Sequence, residues 1–562
     1  MITKRIPFIL IIAMSVFCSC KKEDEEKSLA GNYRKNYDNG YYIGDFNEKG
    51  ERHGQGTYFW NNGDKYEGQW LNGSRNGEGV FYWANGDKYE GSFENSKREG
   101  EGVFTFKDGS TFTCQWKDDK PTDEKSYLLW TLKPWYYWNA ELGKINAADY
   151  ASAEDLLNAV KRPQDKWSKI YSLTGNEKPD LMLSEGKQIG YGMGLRYDHN
   201  SQLRVAWVHR NSPAALQGIK RGWKVLSING QDISLMPEIN IDVENEGISK
   251  SFRFEYDMEV PTDGLVSERR MKLPGDTTIN RPPVNSRIIE LVSGKYSLQT
   301  VLYQNIYNLE ADNGTRKAGY IVLRSVLKQN INEIQQSVSS LVAGGIHYLI
   351  LDLRYCSGGH YATLTELAGM LLPNSANGKT FMQFTYNSEK SSSDTAYVIN
   401  KTGSLNLSRI YVITTSSTAN LGEYLLLGLK PYIDVVHIGT PTYGYAWLTS
   451  TWNFSETRQH KLVTVEVRNV GSQSCAGGIT PDYSAFDGLD KDWGDVNERL
   501  LQRALYLIVD WIWETDVPDS FISPNVLNKS KFMEQHESCR GITEQLPQAE
   551  TFPIKYFETV EN

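Results

Sequence analysis

Past its first twenty residues, this chain has no apolar run long enough to cross a bilayer as a helix. It also has no excess of positive charge. Against 60 Lys and Arg stand 69 Asp and Glu, a net charge of −9, so nucleic-acid binding has no electrostatic support. Cysteine is sparse, at Cys18, Cys20, Cys114, Cys356, Cys475 and Cys539. No Cys–Cys or Cys–His spacing suits zinc, and no cofactor is expected. If the protein is exported, the four cysteines beyond the leader can pair; isolated buried thiols fit them equally well, and the sequence does not choose.

What is present is a long chain of ordinary globular balance. Its 562 residues, 40% hydrophobic and 23% charged, exceed a single core and imply three or four domains. Lys4 and Arg5 precede an apolar run from Ile6 to Cys18, the pattern of a signal peptide. The run ends at Phe17-Cys18-Ser19-Cys20, followed by acidic Glu23 to Glu26. This resembles a bacterial lipoprotein signal over residues 1–20, with Cys20 as the lipidated residue and 21–30 as an acidic tether. The resemblance implies export and a lipid anchor in the outer membrane, facing the cell surface. Ordinary secretion with removal of the leader is the alternative.

A repeat follows. Gly54-Gln55-Gly56, Gly77-Glu78-Gly79 and Gly100-Glu101-Gly102 lie 23 residues apart, as do Tyr66-Glu67-Gly68 and Tyr89-Glu90-Gly91. Asn62-Gly63-Asp64 and Asn85-Gly86-Asp87 mark hairpin tips, where Asn and Gly tolerate positive φ. Each unit reads as one hairpin, stable only when aromatic residues are shared between neighbours. The pattern resembles MORN repeats over residues 31–120, and its simplest role is a rigid spacer.

Tyr127 to Leu142 has helical apolar spacing broken by Pro134, and a second amphipathic helix starts near Ser152. Together they form a helical bridge, residues 124–180. Tyr191-Gly192-Met193-Gly194 is a glycine loop, followed by Ser212-Pro213-Ala214-Ala215 and Gly218 to Gly230. These resemble a PDZ domain over residues 185–260, with Trp223 in place of the usual Asp. The resemblance implies that Tyr191, Gly192, Met193 and Gly194 bind a peptide that joins the sheet edge as an added strand. A strand-rich connection covers 261–314.

The next segment alternates strands and helices. Tyr348 to Leu353 is apolar without alternation, as in a buried parallel strand, and runs into Arg354-Tyr355-Cys356-Ser357-Gly358-Gly359. Strands at Ile410 to Ile413 and Val435 to Ile438 lead into two more loops. This is an α/β core with functional loops at the carboxyl ends of its strands. Thr418-Ala419-Asn420-Leu421-Gly422-Glu423 and Gly439-Thr440-Pro441-Thr442-Tyr443-Gly444-Tyr445 resemble the T-A-S-A-S-E and G-x-x-T-x-G-K motifs of the tail-specific, or C-terminal processing, peptidases of family S41. Gly477-Gly478-Ile479-Thr480-Pro481-Asp482 resembles the G-G-I-x-P-D of the same family. The S41-like core spans residues 315–515, with a tail at 516–562. The fold class is therefore multidomain: a β-hairpin repeat stack, a PDZ-like β-rich domain and an α/β S41-type protease core.

The resemblance also shows what is missing. In S41 peptidases a Ser and a Lys 25 positions downstream form the catalytic dyad, and a Gln lies four residues further on. Asn420, Tyr445 and Thr449 occupy those places here, with the spacing of 25 kept. An amide has no ionisable proton near neutrality, and a phenol with a pKa near 10 donates hydrogen bonds rather than acting as a base. The glycine-rich loop implied to supply an oxyanion hole retains Gly358 and Gly359. Loss of both dyad members leaves, by analogy with the catalytic triad, a residual acceleration of roughly 10³–10⁴ over water. The expectation is a catalytically impaired S41 peptidase-like protein that binds a polypeptide or protein ligand. Two alternatives stay open. One is an active serine- or cysteine-type endopeptidase with a rearranged site, drawing on Ser416, Ser417, Thr418 or a Cys356–His360 pair. The other is a structural adaptor working through the MORN-like stack.

Overall fold

The computed structural model describes residues 29–172, 186–236, 239–243, 245–257, 284–311, 314–403 and 405–516. The leader with Cys18 and Cys20, tether residues 21–28, residues 261–283 of the connection, Cys539 and the tail from 517 lie outside the described residues. The described chain forms two compact units: residues 29–134 with 138–170, and residues 135–137 with the chain from Tyr171 onward.

The first unit is built on a nine-stranded antiparallel sheet whose strands follow sequence order from Leu29–Tyr37 to Lys120–Pro121. The glycine repeat has a steric cause. A Cβ on Gly56, Gly79 or Gly102 would fall 2.1, 2.3 or 2.4 Å from the hydroxyl oxygen of Tyr42, Tyr66 or Tyr89. Each tyrosine thus lies across a glycine of the next strand and donates its hydroxyl proton to a nearby carbonyl: Asp45, Gln69 and Ser92, at 3.0, 3.0 and 3.1 Å. Edge-on aromatic contacts then carry the stack from one repeat to the next, with Tyr42–Trp70 at 5.3 Å, Tyr66–Phe93 at 5.0 Å and Tyr89–Trp116 at 5.1 Å. The turn residues Asn72 and Asn95 take φ of 48° and 50°, the left-handed conformation that Asn tolerates.

A helix follows at Glu124–Trp135. It begins earlier than its apolar spacing predicts and does not continue to Leu142. Pro134 removes an N–H and ends it, leaving only a 3₁₀ turn at Asn139–Glu141. The second helix, Ala153–Val160, starts where expected, with the Ser152 side chain accepting from Asp155 N.

The second unit holds two domains. Strands Met193–Tyr197, Leu203–Val208, Lys224–Ile228, Ser249–Asp257 and Val284–Val292 form the PDZ sheet in that order, so Met193–Tyr197 lies at an edge. Val205, Val225, Phe252, Phe254, Ile289 and Leu291 fill its core. Trp223, the residue that departs from the PDZ pattern, stacks on Tyr256 with ring centroids 4.1 Å apart. The protease-like core has a six-stranded sheet in which Gly314–Leu323, Tyr348–Asp352, Arg409–Thr414, Asp434–Gly439 and Tyr483–Ser484 run parallel. Val301–Ala311 is antiparallel at its edge. A further antiparallel sheet contains Thr380–Thr385, Thr395–Val398, Trp447–Asn453 and Arg458–Arg468.

The PDZ domain is fastened to this core. Ala206 and Trp207, on its second strand, belong to the same buried apolar cluster as Tyr355, Ile413, Leu500 and Leu505. Beside them lies a buried charge network. Arg354 reaches Asp352 at 2.7 Å, Glu498 at 2.8 Å and Asp487 at 3.1 Å, while Arg221 of the PDZ domain reaches Asp487 at 2.6 Å. The Trp493 ring covers both guanidinium groups at 4.1 and 5.0 Å. Burial alone would raise Asp487, but Arg221 and Arg354 overcome it and hold its carboxyl at about 2.

Candidate functional site

The parallel strands deliver their loops to one place, as their order requires. The loop after Arg409–Thr414 enters the helix Leu421–Leu429 through Asn420, which has φ 50° and ψ −119°. A non-glycine residue in this strained region marks a sharp strand-to-helix turn of the kind that presents nucleophiles. Here the turn presents an amide, and Asn420 Oδ1 is buried with no hydrogen-bond partner among the described residues.

Glu423, one turn into the helix, organises the site. It is fully buried and accepts four hydrogen bonds. The donors are Thr442 Oγ1 at 2.5 Å, Gly444 N at 2.6 Å, Tyr445 N at 2.8 Å and Asn420 N at 3.0 Å. The last two share one carboxylate oxygen. The two positions that match the dyad are therefore held side by side through their backbones. Burial raises the Glu423 carboxyl to about 7 against the pull of these four donors.

Two glycine-containing loops close around this centre. A Cβ on Gly444 would sit 2.7 Å from Gly478 N, and one on Gly478 would sit 2.4 Å from Thr442 O. Thr442 Oγ1 also accepts from Ile479 N at 2.8 Å. The Gly477 to Asp482 segment thus packs directly onto the Tyr445 loop. On the other side, Cys356 O accepts from Ala419 N at 3.1 Å. A Cβ on Gly422 would fall 2.5 Å from that oxygen, and one on Gly359 would fall 2.9 Å from Leu421 Cδ1. Gly359 therefore sits against the Asn420 turn, and Gly358 and Gly359 have φ of 68° and 135°. Neither of their N–H groups donates a hydrogen bond among the described residues.

The side chains at this centre are poor in reactive groups. Burial, with the neighbouring Tyr171 and Tyr443, drives the Tyr445 phenol above its ordinary value, so it stays protonated. Cys356 is fully buried and its thiol is pushed up to about 12 by that burial, which opposes thiolate formation. His360 Nδ1 is buried without a hydrogen-bond partner, so it makes no bond to that thiol. Thr418 Oγ1 donates to Leu353 O at 2.7 Å and Thr415 Oγ1 donates to Arg354 O, both within the loop framework. Ser416 is exposed, and Ser417 Oγ accepts from Arg196 Nε at 3.3 Å. Thr449 lies in Trp447–Asn453 opposite Val463, and no hydrogen bond joins its side chain to Asn420 or Tyr445. Cys114, Cys356 and Cys475 are free thiols.

The glycine loop of the PDZ domain is explained in part by packing. A Cβ on Gly194 would fall 2.1 Å from the Trp207 ring, and one on Gly192 would fall 2.0 Å from Ser212 Cβ. Tyr191 is buried against Phe252, and Met193 opens the edge strand opposite Val208. Sequence reasoning did not single out Arg196, on this edge strand, or Arg324, which follows Gly314–Leu323. Both guanidinium groups lie over the Trp207 ring, at 5.0 and 4.7 Å. Neither occupies a motif position, so no local signal marked them.

Comparisons with known proteins agree with this layout. Residues 317–485 match the Peptidase family S41 model, 123–169 the Peptidase S41 N-terminal domain, and 180–255 the PDZ domain. Residues 42–65, 66–88 and 89–111 each match the MORN repeat. Over 385 residues the chain is 24% identical to carboxyl-terminal-processing peptidase 1, chloroplastic, of Arabidopsis thaliana, covering 66% of this chain and 69% of that protein. A crystal structure from Bacteroides fragilis described as an S41 protease is 22% identical, with a TM-score of 0.52, covering 71% of this chain and all of that one. A photosystem II D1 C-terminal processing protease is 15% identical with a TM-score of 0.40, covering 66% of this chain and 97% of that one.

Proposed function

We propose that this S41 peptidase-family protein is catalytically impaired and holds a polypeptide segment without cutting it. One observation carries the reading: Glu423 binds the backbones of Asn420 and Tyr445 through a single oxygen, while their side chains supply neither a nucleophile nor a base. The scaffold of a peptidase centre persists around groups that cannot perform its first step. The polypeptide is proposed to lie along the open edge of Met193–Tyr197 and reach the loops carrying Asn420, Gly358 and Gly359. The buried, neutral Cys356 and the hydrogen-bonded threonines argue against a rearranged nucleophile.

Incubation of the purified protein with unfolded casein tests this. The expected result is retention of casein without new fragments. Time-dependent cleavage that disappears in Cys356→Ala or Ser417→Ala would replace the reading with that of an active peptidase. We further propose that Cys20 is lipidated and anchors the protein at the outer face of the outer membrane. Metabolic labelling with an alkyne fatty acid should mark the wild type and not Cys20→Ala. Equal labelling of both would remove the anchor from the account.

A further inference from the structure

We infer that the strand Val284–Val292, at the far edge of the PDZ sheet, is an interface through which two copies of this chain pair into one continuous sheet. Among the described residues this strand joins Ser249–Asp257 on one side and no strand on the other. Its nine residues pair with that neighbour in unbroken register, without a bulge. Proline, glycine and lysine, which commonly blunt an open edge, are absent from it. Ile289 and Leu291 face the domain core, while Ile288 and Val292 on the opposite face are 70% and 52% exposed. A long, regular edge with apolar side chains on its outer face favours the addition of another strand.

A second copy is the strand that fits. Antiparallel pairing about a two-fold axis perpendicular to the sheet keeps opposed residues on the same face. Overlap of all nine residues then has one solution, which sets Ile288 on the axis against Ile288 of the second copy. In that register Ser286 lies opposite Glu290 of the second copy. Charge agrees with this arrangement. Arg253 donates to Ser286 Oγ at 3.0 Å, and Glu290 accepts from Ser249 Oγ at 2.5 Å. Neither forms an ion pair among the described residues, and Asp232 feels the charge of Arg253 only from beyond ion-pair distance. The two-fold brings Glu290 of each copy to the serine that Arg253 of the other already holds. A slip of two residues one way sets Arg287 against itself, and a slip the other way sets Ile288 against Glu290, so other registers are disfavoured. The Met193–Tyr197 edge lies at the opposite end of the same sheet and stays open in both copies. The dimer does not rest on polypeptide capture, but it would place two such edges in one assembly.

Sedimentation equilibrium and cross-linking with a short bismaleimide test the inference. Both use the full chain carrying Cys20→Ala, which excludes association through an acyl chain. This reference protein should sediment as a dimer that dissociates on dilution. Ile288→Lys sets two cations on the axis and should raise the dissociation constant about tenfold or more. Opposed residues on paired strands hold their Cβ atoms about 4.5–5.5 Å apart. Ile288→Cys by itself should therefore link into a dimer above the background of the reference protein. Ser286→Cys and Glu290→Cys should link to each other in a mixture and not alone. A reference protein that is monomeric at every concentration would overturn the interface, and that measurement needs no substitution in the strand. A dimer whose dissociation constant is unchanged by Ile288→Lys would overturn it too, as would failure of Ile288→Cys to link.

Discussion

Two pairs of arginines join the PDZ domain to the protease-like core, and their surroundings differ. Arg221 and Arg354 sit among Asp352, Asp487 and Glu498 under the Trp493 ring, with Arg221 2.6 Å from Asp487 and Arg354 2.7–3.1 Å from all three carboxylates. Arg196 and Arg324 share the Trp207 ring, and among the described residues Arg196 donates its hydrogen bonds to Ser417 Oγ and Leu195 O. A neutralised buried network fixes two domains in one arrangement, because removing either sign leaves an uncompensated charge. A contrast also runs through the loops: Glu423 accepts four hydrogen bonds, while Asn420 Oδ1 beside it has no partner among the described residues.

The largest expected effect comes from breaking the matched pair. Arg354→Met leaves Asp352 and Glu498 buried without their close cation and Asp487 with Arg221 alone, and should cost about 3–5 kcal/mol in urea unfolding of the core. A loss below about 1 kcal/mol would dissolve the contrast. Glu423→Ala comes next. It strips the acceptor from three backbone N–H groups and one hydroxyl and should cost about 3 kcal/mol. Faster amide exchange at Gly444 and Tyr445 would mark the loosened loop.

Titration separates the matched network from the Glu423 centre by sign. Asp487, lowered from 3.8 to about 2, contributes stability that is full above pH 3.8 and is lost as the pH falls toward about 2. Glu423, raised from 4.5 to about 7, does the reverse. Between these values the unfolded chain has released the proton that the folded chain keeps, so stability falls as the pH rises from 4.5 to about 7. Denaturant midpoints measured across both windows should show the two slopes, and Glu423→Gln should flatten the second. The smallest expected change is in the stability of Arg196→Gln, about 1–2 kcal/mol, because two hydrogen bonds to neutral acceptors and a contact with the Trp207 ring are lost. A loss as large as that of Arg354→Met would make Arg196 a structural residue and end its contrast with the matched pair.

Much of this architecture is readable from local pattern. The 23-residue repeat follows from tyrosines lying across glycines of the next strand. The run Tyr348 to Leu353 reads as a buried parallel strand because it is apolar on both faces, and Ser152 caps its helix through its own side chain. The site is legible as spacing: Asn420 and Tyr445 lie 25 residues apart in two motifs, and the structure joins them through Glu423. The helix after Tyr127 misleads, since apolar spacing continues past Pro134 while backbone hydrogen bonding cannot. Arg196, Arg221 and Arg324 carry no local signal, because a cation's role depends on what faces it from distant parts of the chain.

The sequence alone decided which elements form and which reactive groups are absent, since periodicity, turn chemistry and side-chain identity are local properties. Only the tertiary structure decided which charges are matched, how a single carboxylate oxygen holds two motif loops, and which two arginines share one ring. Those outcomes depend on distances and burial between residues far apart in the chain, where desolvation and Coulomb attraction are balanced contact by contact.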